Sequence, residues 1–103
     1  MFVRAGSFLV KPGGREELRE LYGSRVVPLV MGQPGCAGCM LLEPLAESEP
    51  FEVLTLWESR AACERYEASG AAGQAVSAVK QLFAGPPKLE TYESHAFALR
   101  TSS

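Results

Sequence analysis

Polar and apolar positions alternate along Phe2–Val10 (FVRAGSFLV), the two-residue period of a strand. Phe2, Arg4, Gly6, Phe8 and Val10 fall on one face; Val3, Ala5, Ser7 and Leu9 fall on the other. Lys11-Pro12-Gly13-Gly14 reads as a turn. The period then lengthens: Leu18, Leu21, Tyr22, Val26 and Leu29 make one stripe of a helix over 14–32. Glu16 and Glu17 sit in its first turn, where the helix dipole favours them. Pro28 has no N–H to give and is expected to kink or end this helix.

After a turn at Gln33-Pro34-Gly35, a second strand is predicted from Cys36 to Leu45 and a polar hairpin loop over Glu47–Pro50. A third strand, Phe51–Glu58, sets Phe51, Val53, Thr55 and Trp57 against Glu52, Leu54, Leu56 and Glu58. Ser59 is placed to cap a helix that runs to Ala68. Ser69-Gly70 interrupts it, and a further helical stretch carries Ala72, Val76, Val79 and Phe83 at helical spacing. Gly85-Pro86-Pro87 stops that stretch. Leu89–Leu99 is the predicted last strand, and residues 100–103 are expected to be a loose tail.

The order β-α-β-β-α-β predicts one α+β domain over 1–103 with a ferredoxin-like fold: a four-stranded antiparallel sheet with both helices on one face. Phe8, Leu41, Leu42, Leu54, Leu56 and Phe97 are more apolar strand residues than one sheet face can bury. The other face is expected to pack on a second copy of the chain, as a homodimer. An apolar content of 47% in 103 residues points the same way, because small domains bury the smallest share of their surface.

Composition narrows the chemistry. Net charge is −2 with no basic patch, so nucleic acid is not an expected partner. No apolar run has membrane-spanning length, and Arg4 breaks the only apolar start, so a soluble, cytoplasmic protein is expected. Asp, Asn and Ile are absent, all twelve acidic residues are Glu, and His95 is the one histidine. This excludes an Asp-based triad, an EF-hand loop and a multi-histidine metal site. Neither Gly-x-Gly-x-x-Gly nor a P-loop occurs. No cofactor and no metal are expected.

Cys36-x-x-Cys39 is the one short-spaced pair of soft ligands. A structural zinc needs four ligands, and Cys63 and His95 lie on other elements with no second short spacing. A thioredoxin-like couple wants its first thiol at a helix N-terminus, whereas this motif runs into a strand. The pair reads best as small residues at a turn and strand start, close enough to oxidise to a disulfide in air. Cys63 reads as a core residue on a helix face.

Several fragments in order resemble one known family. They are Val10-Lys11-Pro12-Gly13, Val26-Val27-Pro28, Pro34-Gly35 with Gly38, and above all Trp57-Glu58-Ser59 followed by Ala61, Tyr66 and Ser69. Together they resemble the antibiotic biosynthesis monooxygenase domain of the dimeric α+β barrel superfamily, over nearly the whole chain. Cys36 stands where that family's Pro-Gly-Phe turn has its Phe.

The resemblance implies a homodimeric, cofactor-independent monooxygenase acting with O2 on a hydroxylated aromatic, a quinol or an anthrone. It implies a mostly apolar substrate pocket between sheet and helices, lined by Phe8, Tyr22, Trp57, Cys63, Tyr66 and Val76. His95, Tyr66 and Trp57 are its candidate catalytic residues. His95 is considered because imidazole titrates near neutrality; Trp57 suits core packing equally well. The anthrone-oxidising members carry Asn, Tyr and Arg where this chain has Val53, Cys63 and Ser77; only Trp57 is shared. The haem-degrading branch needs Asn, Trp and a proximal His where this chain has Gly6, Tyr66 and Val76. The alternative is a non-catalytic module of the same fold that binds a small hydrophobic ligand or a partner.

Overall fold

A computed structural model describes residues 1–100. Strands β1 (Phe2–Phe8), β2 (Cys36–Leu42), β3 (Phe51–Trp57) and β4 (Lys88–Glu93) form one antiparallel sheet in the order β2-β3-β1-β4. This is the ferredoxin-like α+β arrangement that the element order predicts. Helical segments α1 (Arg15–Leu21), α2 (Val27–Met31), α3 (Arg60–Ala68) and α4 (Ala71–Ser77) cover the face that carries Phe2, Phe8, Phe51, Thr55 and Trp57.

The alternation read from the sequence sets this burial. In β3, Phe51, Thr55 and Trp57 are buried while Glu52 is exposed. Leu56 faces the other way and is also buried, paired with Val3 of β1 and Gly38 of β2. A shift in register between Cys36 and Gly38 restores the phase of β2, so Cys39 and Leu41 lie inward opposite Thr55 and Val53. Met40 and Leu42 are left outward.

Several boundaries differ from expectation. Pro28 does not end the first helix. A π turn over Tyr22–Val26 widens the backbone, and the Val27 N–H bonds back to the Tyr22 carbonyl. Pro28 then falls in the first turn of α2, where a missing N–H costs nothing. Strand β1 ends at Phe8, because Val10 leaves the sheet to bridge Phe83. Phe83 itself lies beyond α4, after a short 3₁₀ turn at Lys80–Leu82. Strand β2 stops at Leu42 rather than Leu45: its last pair is Leu42 with Glu52, and Pro44 just beyond has no N–H for a ladder.

Strand β4 ends at Glu93, opposite Phe2; one more backbone bond follows, from the Ser94 N–H to the Met1 carbonyl at 2.8 Å. His95 therefore lies past the last strand in an exposed bend, not on the strand where it was expected. The predicted tail at 100–103 lies almost wholly outside the described residues. No helix among the described residues is long and apolar enough to cross a membrane.

Two local features lock the turn before β2 onto α3. Ser59 caps α3, its hydroxyl accepting from the Ala62 N–H at 3.1 Å. Gly35, at φ +80°, brings the turn so close that a Cβ there would lie 2.5 Å from the Ala62 Cβ. Its carbonyl accepts from the Glu58 N–H at 2.9 Å. The Pro-Gly step is thus required by backbone conformation and by space together.

Candidate functional site

A cavity of about 130 Å³ opens between the sheet and the helices. Its floor comes from the inward positions of β1 and β3: Arg4, Gly6, Phe8, Val53 and Thr55. Gly6 leaves room there, since a Cβ would lie 3.2 Å from Val53. The walls are Tyr22 and Val26 from the π turn, Val30 from α2, Tyr66 from α3, and Ala75, Val76, Val79 and Phe83 from the α4 region. Pro87, Lys88 and Leu89 close the side next to β4.

Four of the six residues expected to line a pocket do so: Phe8, Tyr22, Tyr66 and Val76. Trp57 and Cys63 do not. Trp57 ends β3 at 0% exposure, sealed beneath Tyr66 with ring centroids 4.7 Å apart. Its indole N–H donates to the Thr55 hydroxyl at 2.9 Å. Cys63 lies on the buried face of α3, in the core cluster and not on the cavity. His95, exposed beyond β4, is not among the residues that line the cavity. Of the three candidate catalytic side chains, only Tyr66 reaches it; Trp57 backs Tyr66 from behind.

Sequence reasoning missed Arg4 and Thr55. The signal for Arg4 was in the alternation: a charged residue on the face shared by Phe2 and Phe8 is misplaced unless something there uses it. Its Nε donates to a Glu67 carboxylate oxygen at 3.1 Å, and its guanidinium stands 5.5 Å from the Tyr66 ring centroid. Thr55 is fully engaged, donating to the Arg4 carbonyl at 3.4 Å and accepting from Trp57.

The tyrosines differ. Tyr22 is 6% exposed, and its buried hydroxyl meets no nitrogen or oxygen partner among the described residues, only the weakly accepting Cys39 thiol. Burial, with the Cys39 thiol beside it, pushes the Tyr22 phenol far above its ordinary range and keeps it protonated. Burial also raises Tyr66, against the opposing effect of Arg4. The π turn is what aims Tyr22: the widened turn starts at this residue and sends it and Val26 into the cavity.

The three cysteines are free. Burial raises the thiols of Cys36, Cys39 and Cys63, which disfavours the reactive thiolate. Cys36 Sγ lies 3.6 Å from the Gly38 carbonyl oxygen and 4.0 Å from Met31 Sδ. Among the described residues, no three His, Cys or Glu side chains gather where a metal ion could be held.

This fold has counterparts among known proteins. The family model described as antibiotic biosynthesis monooxygenase matches residues 1–78, and the chain belongs to that family. Among solved structures it is similar to SnoaB, a cofactor-independent oxygenase from Streptomyces nogalater, at a TM-score of 0.76 and 17% identity over 93% of this chain and 94% of that one. It is similar to NE2512, a protein of unknown function from Nitrosomonas europaea, at 0.76 and 20% identity over 98% of this chain and 95% of that one. It is also similar to Rv0793 from Mycobacterium tuberculosis, at 0.73 and 19% identity over 95% of this chain and 98% of that one. At such identities the likeness speaks for the fold. No curated protein matches the chain.

Proposed function

We propose that the protein is a monooxygenase that oxidises a hydroxylated aromatic or quinol-type substrate with O2, without a bound cofactor, in the cavity between sheet and helices. The observation that carries this reading is the cavity itself: apolar walls from Phe8, Val26, Val30, Val79 and Phe83, interrupted by a few phenolic and charged groups, in a chain of this family.

Such a substrate supplies the electrons. In a phenol with a free para position, the hydroxyl proton and the para hydrogen leave. One oxygen atom of O2 becomes the new carbonyl oxygen, and the other departs with both hydrogens as water. The phenol is oxidised by four electrons to a quinone that keeps its own oxygen, and O2 is reduced, one atom entering the quinone and the other leaving as water. The protein contributes a dry, shaped cavity that orients the ring. Tyr66 contacts the substrate, and Trp57 acts through Tyr66 as a positioning residue.

The working unit in this reading is a homodimer. The outward sheet face sets Met40, Leu54 and Ala5 side by side, and next to them Leu56, Val3 and Tyr92. Met40, Leu42 and Tyr92 are each at least 40% exposed. A second copy packed face to face would bury this surface.

Val53, an apolar residue on the cavity floor, favours a second reading, a binding module without turnover. Oxygen uptake separates the two. The purified protein is tested with hydroquinones, naphthoquinols and anthrones, beside Tyr66→Phe and Trp57→Phe. Uptake above the autoxidation rate, lowered in a variant that stays folded, supports the oxygenase. Uptake equal to autoxidation across the panel, with the same compounds bound, establishes the module.

A further inference from the structure

We infer that Cys36, Cys39 and Met31 form a binding site for one soft monovalent metal ion, Cu(I), between the start of β2 and the end of α2. The site is separate from the cavity, which none of the three residues lines, and it does not depend on the oxygenase reading.

The register shift in β2 is what makes the site. Residues three apart on a regular strand point to opposite faces. Here Cys36 stands opposite Trp57 and Cys39 opposite Thr55, because the ladder shifts between Cys36 and Gly38. Both thiols therefore stand on the inward face, two positions apart along β3, on a strand at the edge of the sheet. Such neighbours are about 7 Å apart at the backbone, close enough for two thiols to lean together around one ion.

Met31 brings the third sulfur. It ends α2, and its Sδ lies 4.0 Å from Cys36 Sγ. Two sulfurs at that separation can each lie about 2.3 Å from a shared ion, with an angle of about 120° between them. The turn that joins α2 to β2 holds this arrangement. The Gly32 N–H donates to the Pro28 carbonyl at 3.1 Å, the Gln33 N–H to Val30 at 3.0 Å and the Cys36 N–H to Gln33 at 3.2 Å. Met31 is 46% exposed and gives the ion a way in; both cysteines are half-buried and free.

The donor set chooses the ion. Among the described residues no third His, Cys or Glu joins the pair, so zinc, which takes four ligands, and oxygen-seeking ions are not suited. Thiolates with a thioether suit Cu(I). As the ion enters, the two thiols lose their protons to water and no electron moves. The buried Tyr22 hydroxyl, with Cys39 beside it, then faces a charged sulfur to which it can donate.

The test uses the full chain, reduced and free of O2, in competition with the coloured Cu(I) chelator bicinchoninate. The protein is expected to withdraw one Cu(I) per chain, and X-ray absorption to show a shell of sulfur alone. Cys36→Ser and Cys39→Ser should each weaken binding by more than about a hundredfold, and Met31→Leu, on the exposed side, by about tenfold. Cys63→Ala, which removes the thiol outside the site, should leave binding unchanged. Circular dichroism shows whether each variant is folded. Copper that stays with the chelator overturns the inference. So does binding that survives both Cys36→Ser and Cys39→Ser, or that is lost in a folded Cys63→Ala variant.

Discussion

Replacing Tyr22 by Phe should leave the free protein as stable as before or make it more stable, although the residue is almost wholly buried. The substitution keeps the ring and removes one oxygen. That oxygen meets no nitrogen or oxygen partner among the described residues, only the Cys39 thiol, a weak acceptor beyond good hydrogen-bond geometry, and the residue is 6% exposed. A buried polar group without a partner costs about 1–3 kcal/mol. Set against this is the small void left by the oxygen, so a net gain of about 1 kcal/mol is expected. For a domain of this size, that raises Tm by about 4–8 °C. The single Trp, Trp57, is fully buried and reports unfolding by fluorescence; circular dichroism provides the second probe, at fixed protein concentration. The alkaline limb adds a check on sign. The Tyr22 phenol is raised in the folded state, so its contribution is fully present below the ordinary tyrosine value of about 10 and is lost as pH rises above it. Tyr22→Phe should flatten that decline. A loss of more than about 1 kcal/mol would mean that the hydroxyl has a partner in the folded protein, and the reasoning would fail.

Other consequences are independent of this one. Gly35→Ala should destabilise by about 2–4 kcal/mol, because the residue sits at φ +80° and its Cβ would meet Ala62 at 2.5 Å; a urea midpoint close to that of the parent would refute the account. Trp57→Phe should cost about 1–3 kcal/mol through lost volume and the lost bond to Thr55 and, under the proposed function, lower kcat more than it changes KM; unchanged stability would show that the indole is not a core anchor. The Arg19 hydrogen bond, then its charge, hold the Glu43 carboxyl below its ordinary range, with Arg15 adding to both. That contribution is present above the ordinary glutamate value of about 4.3 and is lost as pH falls through the folded value. Glu43→Gln should therefore flatten the acid limb of the urea midpoint, and an unchanged limb would refute it. Leu54→Lys, on the outward sheet face, should convert the proposed dimer to monomer in sedimentation; an unaltered dimer would place the interface elsewhere.

Local patterning determined the element order, the inward faces of β1 and β3, the Ser59 cap and the Pro34-Gly35 turn. Each depends on near neighbours in the chain: the two-residue pleat, a hydroxyl three residues from the N–H it caps, a glycine where φ is positive. The fragments around Trp57-Glu58-Ser59 were enough to indicate the family, and the resemblance implied a pocket with Phe8, Tyr22, Tyr66 and Val76 in it. What the sequence could not decide was which side chains share that space. Trp57 and Tyr66 are equally plausible from spacing, yet one is sealed beneath the other, because only three-dimensional packing sets which ring lies nearer the open side. His95 was expected on a strand whose length depends on its partner, and the pairing with β1 ends at Glu93. The π turn that carries Tyr22 into the cavity has no signature in hydrophobic spacing, since one extra residue in a turn barely disturbs the stripe. Arg4 was legible only as an anomaly, and its use emerged once β1, α3 and the π turn met around one cavity.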